Sequence, residues 1–357
     1  MKKILLVLAL ISTIAAGVLA WNFISYKHAH FKPDAQADFY LLYPGHIDSY
    51  KLNGDQPSLL ASQELPSKDY LGSGPNFTLG KNTLVFSEAA FKYTSGNIVS
   101  LDFASGKINR QPSKYATVTS GSDGNYFYTA GISDKLVQFD AQLKPVKEVD
   151  LPKFFNPTGR INMDDKTIYL VGTEHNPDDP DNWKELLVLV DKETMKVSES
   201  LYFDRKMTVQ DSYLMNGILY LPVIAYTAAN GDMSESKHIL TFDTSTKKFA
   251  TIDIKQPAPA RIHSLNSDTS FLIEHDGYIT KDIRFTIYNT KTGDESFHVI
   301  PDANPNYLTI THLKVLDEER LVFIVGDQLY LYNWQTKQVL SQTPLASDYL
   351  SGIWVTK

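Results

Sequence analysis

One pattern, repeated along most of the chain, limits the folds open to it more than any other feature. A short apolar run ends in Asp or Asn, and Thr, Ser, Gly or Lys follows within a few residues. Ile98 to Leu101 leads into Asp102, Ser105, Gly106 and Lys107; Leu136 to Phe139 into Asp140 and Lys144; Leu187 to Val190 into Asp191, Thr194 and Lys196. Ile239 to Phe242 precedes Asp243, Thr246 and Lys247; Phe285 to Tyr288 precedes Asn289, Thr292 and Gly293; Leu329 to Tyr332 precedes Asn333, Thr336 and Lys337. A degenerate copy, Ile47 to Lys51 before Asn53 and Gly54, stands at the front. The short Asp or Asn side chain can accept from backbone amides two residues on, so each copy reads as a strand entering a tight hairpin. The spacing averages near the roughly 40 to 50 residues of one propeller blade.

Each copy has a second strand upstream: Asn82 to Phe86, Asn125 to Thr129, Thr167 to Val171, Gly217 to Pro222, Ser270 to Ile273 and Arg320 to Val325. A shorter first strand precedes each of these. The front copy lacks that first strand, because Phe39 to Tyr43 is already its second, while Gly352 to Thr356 is an orphan strand at the other end. The two ends fit each other: in a closed ring the last strand completes the first blade and removes a free sheet edge. The expected architecture is therefore an all-β, seven-bladed β-propeller over residues 38–357.

The hairpins, such as Asp191 to Lys196, resemble those of bacterial quinoprotein-like and surface-layer-type propeller repeats. The resemblance covers nearly the whole body and implies an extracytoplasmic bacterial propeller at the level of architecture. The Gly-His and Trp-Asp signatures of WD40 blades are missing, as are the Ser-x-Asp-x-Gly boxes of sialidases, and a quinone cofactor is not indicated.

Before the repeats, Lys2 and Lys3 precede an uncharged run from Ile4 to Tyr26. Such a segment addresses a chain for export. It reads as an apolar helix over residues 1–26, either a signal peptide cleaved near Val18, Leu19 and Ala20 or a membrane anchor with Trp21 and Tyr26 at its outer end. Residues 27–37 then form a tether, in which His28 and His30 meet the membrane surface or hold a transition metal. The expected location is extracytoplasmic, membrane-anchored through residues 4–26 or secreted. A net charge of -7 disfavours nucleic acid, and the absence of cysteine excludes disulfides, thiolate metal sites and a lipid-modified cysteine.

Loops rather than scaffold strands tend to carry function. The loops between second and third strands are long at Ser87 to Gly96, Thr173 to Trp183, Ala225 to Lys237 and Glu274 to Asp282, so the binding surface is expected on their face. In one of them Glu174, Asp178, Asp179 and Asp181 offer oxygen ligands for calcium, although the spacing lacks the glycine and closing glutamate of an EF-hand. Trp183 beside them is a contact anchor or the cap of the next strand.

His263 and His312 fall in first strands, which line a propeller channel. They are candidates for a base or ligand against the alternative of hydrogen-bonded structural imidazoles. Arg160 and Arg261 open the similar strings Arg-Ile-Asn and Arg-Ile-His, which suits an anion clamp or a rim salt bridge. No serine elbow, phosphate loop or metalloprotease helix occurs. Two functional readings follow: a binding propeller for a protein, peptide or cell-envelope glycan, or a hydrolase or lyase at the channel mouth. Convergence of Arg160, Arg261, His263 and His312 on one concave site is what the second requires.

Overall fold

The computed structural model describes residues 30–65, 76–88, 96–131, 134–178, 183–203, 207–227, 232–301, 306–346 and 350–356. Strands β1 (Phe39–Leu42), β2 (His46–Asn53) and β3 (Gln56–Glu64) belong to blade 1. Blade 2 holds β4 (Phe77–Leu79) to β7 (Ile108–Pro112), with β5 (Thr83–Ser87) and β6 (Asn97–Asp102) between. Blade 3 runs from β8 (Thr119–Ser122) through β9 (Phe127–Gly131) and β10 (Lys135–Phe139) to β11 (Pro145–Asp150). Blade 4 comprises β12 (Phe155–Met163), β13 (Thr167–Glu174), β14 (Lys184–Asp191) and β15 (Lys196–Phe203).

Blade 5 has five strands, because β16 (Met207–Val209) and β17 (Tyr213–Met215) share the inner position beside β18 (Ile218–Thr227), followed by β19 (Met233–Asp243) and β20 (Lys248–Asp253). Blade 6 is β21 (Pro259–Ser264), β22 (Ser270–His275), β23 (Arg284–Asn289) and β24 (Glu295–Val299). Blade 7 is β25 (Ile310–Val315), β26 (Arg320–Val325), β27 (Gln328–Asn333) and β28 (Gln338–Pro344). The last strand, β29 (Gly352–Val355), pairs antiparallel with β1 and makes blade 1 four-stranded, in the order β29-β1-β2-β3. The expected ring closure is thus present, and all seven sheets are antiparallel meanders.

Strands here read as unbroken apolar runs because both faces of a blade are buried. In β14, Leu186, Val188 and Val190 pack toward blade 3, while Leu187 and Leu189 pack toward blade 5. The same division holds around the ring, so each of the seven interblade interfaces has its own core, including the one that joins blade 7 to blade 1 through Val322, Ile324, Phe39 and Ile353. Burial on this scale, at ~25 cal/mol per Å² of apolar surface, is what holds the disc together.

The repeated Asp and Asn residues act as turn caps. Asp102 accepts from Ala104 N and Ser105 Oγ, Asp191 from Thr194 N, and Asp243 from Ser245 N and Thr246 N. Asn289 and Asn333 do the same with Thr292 N and Thr336 N. The turn residue four positions on adopts positive φ in most copies: Gly106, Met195, Lys247, Gly293 and Lys337. The hairpin lysines also reach neighbouring blades, Lys247 Nζ to Glu199 Oε2 at 2.5 Å and Lys337 Nζ to the Phe297 carbonyl at 3.1 Å.

Residues 1–29, including the run read as an apolar helix, signal peptide or anchor, and His28, lie outside the described residues. Among the described residues no helix is long and apolar enough to cross a membrane. The part of the tether that is described is docked: the Phe31 N–H donates to the Gly106 carbonyl at 2.9 Å, and the buried Phe31 ring packs on Tyr40 and Phe103. One loop also differs from its sequence reading. Much of Ala225 to Lys237 is strand, with Ala225 facing Glu235 and Thr227 facing Met233, because β18 and β19 run on past the blade's packed zone.

Candidate functional site

The first strands surround a central cavity of about 1290 Å³. Its wall includes Gly159 and Arg160 of β12, Gln210 and Asp211 between β16 and β17, Arg261, His263 and Ser264 of β21, and Thr311 to Val315 of β25. The turn residues that reach it, Lys81 and Asn82, Phe103 and Ala104, and Asn266, all belong to first-to-second or third-to-fourth strand turns. In an antiparallel meander those turns share one face. The cavity therefore opens toward the short-hairpin face, opposite the long loops, and residues 33–38 lie across that mouth.

Bulges in the inner strands set the lining side chains. The register slips between Thr158 and Asn162 in β12, between Pro259 and Arg261 in β21, and between Ile310 and His312 in β25. A bulge re-aims the side chains around it. In β12 the slip includes Gly159 at φ 68, where a Cβ would lie 2.8 Å from Asp211 Cα, so only glycine allows β12 and the β16–β17 connection to approach so closely.

Arg160, Arg261, His263 and His312 all line this one cavity, and each has a structural bond. Arg160 Nε and NH2 donate to the two oxygens of Asp211 at 3.0 and 2.8 Å, and NH2 also donates to the Ile262 carbonyl at 2.5 Å. Arg261 NH1 donates to the Ile310 carbonyl at 3.0 Å and lies 3.9 Å from Glu274. His263 Nε2 donates to Glu274 Oε2 at 2.9 Å. His312 Nε2 donates to the Leu350 carbonyl at 3.0 Å. Burial pushes the His312 imidazole down to about 4, helped by Lys314, Arg261 and His263, so the ring is neutral at pH 7.

Three residues that sequence reasoning did not single out complete the site. Asp211 and Glu274 are buried carboxylates that each tie one blade to the next, since Asp211 accepts the Ile262 N–H at 2.9 Å and Glu274 accepts the Ile310 N–H at 3.0 Å. The third is Lys314, two residues beyond His312 on β25. It is half-buried on the cavity wall, and lost hydration, with Arg160 nearby, holds its ammonium below the ordinary lysine value. It has no hydrogen-bond or ion-pair partner among the described residues.

The other candidates lie elsewhere. Trp183 is half-buried and does not line the cavity. Glu174 Oε2 accepts from the Tyr202 hydroxyl at 2.7 Å, Asp178 is exposed, and Asp179 and Asp181 lie outside the described residues. Among the described residues no group of three or more His, Asp or Glu side chains is placed to hold a metal ion.

No known family matches this chain, and no curated protein matches it in sequence. Solved structures do match in shape. The dihydro-heme d1 dehydrogenase NirN, in complex with DHE, aligns with TM-score 0.53 at 14% identity over 91% of this chain and 76% of its own. Kuenenia stuttgartiensis hydrazine synthase aligns with TM-score 0.53 at 13% identity over 75% and 85% of the two chains. The WD40 β-propeller domain of Doa1 aligns with TM-score 0.53 at 8% identity over 78% and 83%. At such identities the likeness is one of fold alone, and it agrees with the closed ring of antiparallel blades: the chain is a seven-bladed β-propeller.

Proposed function

We propose that this chain is a binding propeller that works outside the cytoplasm and holds a protein partner of the cell envelope on its long-loop face. The observation that carries this reading is a run of exposed apolar side chains on adjacent blades, five of the nine among the described residues; Leu59, Leu60, Tyr126 and Val146 stand elsewhere. Val118 on blade 3, Tyr202 on blade 4, Met233 on blade 5, and Tyr278 and Val299 on blade 6 all stand at the long-loop end of consecutive blades. Tyr278 and Met233 are each 62% exposed. Large aromatic residues and methionine on such a face are the anchors that protein interfaces favour. Tyr278 sits on the helical turn α1 (Gly277–Thr280), whose start is fixed by Asp276 accepting from Tyr278 N and Ile279 N. Export rests on Lys2, Lys3 and the apolar run after them.

The test is crosslinking in intact cells with the full-length chain and a Tyr202→Ser, Met233→Ser, Tyr278→Ser variant. A partner captured by the former and lost from the latter supports the reading; equal capture, or none, overturns it. The hydrolase or lyase reading draws on one observation, the His263 imidazole paired with Glu274 inside a cavity. The Glu274 carboxylate is at the same time a blade clamp, which gives the pair a structural reason to exist. A turnover that vanishes in His263→Gln, with the melting temperature unchanged, would favour the enzyme.

A further inference from the structure

The cationic groups on the cavity wall are not equally paired. Asp211 neutralises Arg160 through two hydrogen bonds, and Glu274 faces both Arg261 and His263. Asp34 and Asp38 at the mouth accept from the Gln36 and Leu52 amides. Lys314 is left without a counter-charge among the described residues, and Arg261, with its side chain 44% exposed, engages a carbonyl only through NH1. A half-buried ammonium without an ion pair has lost part of its hydration, and an anion seated in the cavity would restore a partner to it. The surroundings favour the anion: Arg160 adds positive charge nearby, the neutral His312 ring adds no negative charge, and the cavity has room for a small molecule.

We propose that the central cavity seats a small oxyanion, a carboxylate or phosphate group, held by the Lys314 ammonium and the remaining guanidinium donors of Arg261. Guanidinium supplies a planar fork and ammonium a compact point charge, a pair suited to one group bearing two or three oxygens. Ligand entry is from the short-hairpin face, where residues 33–38 border the opening. This site lies on the other side of the disc from the partner surface proposed above, so either can fail without the other.

Isothermal titration of the full chain with inorganic phosphate, and separately with succinate, tests it at ionic strength held constant with sodium chloride. The expected result is saturable binding of at least one of them, weakened about tenfold or more in Lys314→Met and in Arg261→Gln and largely kept in Lys314→Arg. Preference between the two ions assigns the phosphoryl or the carboxylate group. No saturable binding of either ion overturns the proposal, as does equal affinity in wild type and Lys314→Met. A thermal melt without added anion guards against misfolding: Lys314→Met should melt no lower than wild type, since it removes an uncompensated charge. A clearly lower melting temperature would assign Lys314 a structural partner and also overturn the proposal.

Discussion

The Arg160 guanidinium and the Asp211 carboxylate meet through two parallel hydrogen bonds, and each makes a further bond to a single residue of blade 6. Arg160 donates to the Ile262 carbonyl, and Asp211 accepts the Ile262 N–H. Three blades are joined through one ion pair, since Arg160 comes from blade 4 and Asp211 from the inner edge of blade 5. Glu274 with Ile310 and Arg261 repeats the arrangement between blades 6 and 7. These clamps hold the inner strands where apolar packing between blades gives way to the solvent-lined channel.

Removing one partner of such a pair strands the other. Asp211→Ala should destabilise the fold by about 3 kcal/mol or more, because it leaves the guanidinium and the Ile262 amide without their acceptor. The Arg160→Ala, Asp211→Ala double variant should cost less than the sum of the two single changes. Urea midpoints of the four proteins check this; strict additivity would show that the pair is not coupled.

The hairpin caps make a smaller, local prediction. Asn333 accepts from Gln335 N and Thr336 N and is nearly buried, so Asn333→Ala should cost about 1 to 2 kcal/mol without changing the cavity. A change below a few tenths, read from the same urea curves, would mean the turn is held by its ladder alone.

How far such features can be read in advance follows from what the sequence encodes locally. The caps are legible because Asp and Asn act on amides two or three residues away, and ring closure is legible because the front copy lacks a first strand while Gly352 to Thr356 is left over at the other end. His263 and His312 were placed on inner strands for the same reason. Lys314 was within reach: strand side chains alternate, so a residue two beyond His312 shares its side of β25. Asp211 and Glu274 were not, because their partners, Ile262 and Ile310, each sit on the following blade, and only the assembled ring brings them together. Extension of β18 and β19 into Ala225 to Lys237 was hidden too, since strands beyond the packed zone have no apolar face to mark them.

Three histidines tie stability to pH. Burial holds His275, His298 and His312 each at about 4, below the ordinary 6.5. The His275 ring nitrogens bond the Pro257 carbonyl and the Thr286 hydroxyl, and His298 bonds Ser296 and Tyr332. Between pH 6.5 and 4 the unfolded chain binds protons that the folded chain refuses. The stabilising contribution is therefore complete above 6.5 and is lost as pH falls toward 4, on the order of 3 kcal/mol for each ring. Melting temperatures recorded from pH 7.5 down to 4.5 should fall steadily, and His275→Gln should flatten the curve. A profile unchanged by that substitution would place the titration elsewhere.

Closure of the ring makes the strongest demand on a few terminal residues. β29 pairs with β1 from Phe39 opposite Val355 to Leu42 opposite Gly352, Ser351 N donates to the Leu42 carbonyl, and Thr356 Oγ1 donates to the Ala37 carbonyl at 2.8 Å. Ile353 is fully buried between blades 7 and 1, and the Trp354 ring stacks on Phe103 at 4.8 Å, below the docked Phe31. A chain ending at Leu350 loses this packing and bares the inner edge of β1 along the channel, where no cap or charge blunts it. Such a chain should lose its cooperative melt or pair with a second copy. A peptide of residues 351–357, added in excess, should restore the monomeric transition by supplying the missing strand. If the shortened chain melts like the full one, then blade 1 stands on three strands and the velcro between the two ends is dispensable, which the buried Ile353 argues against.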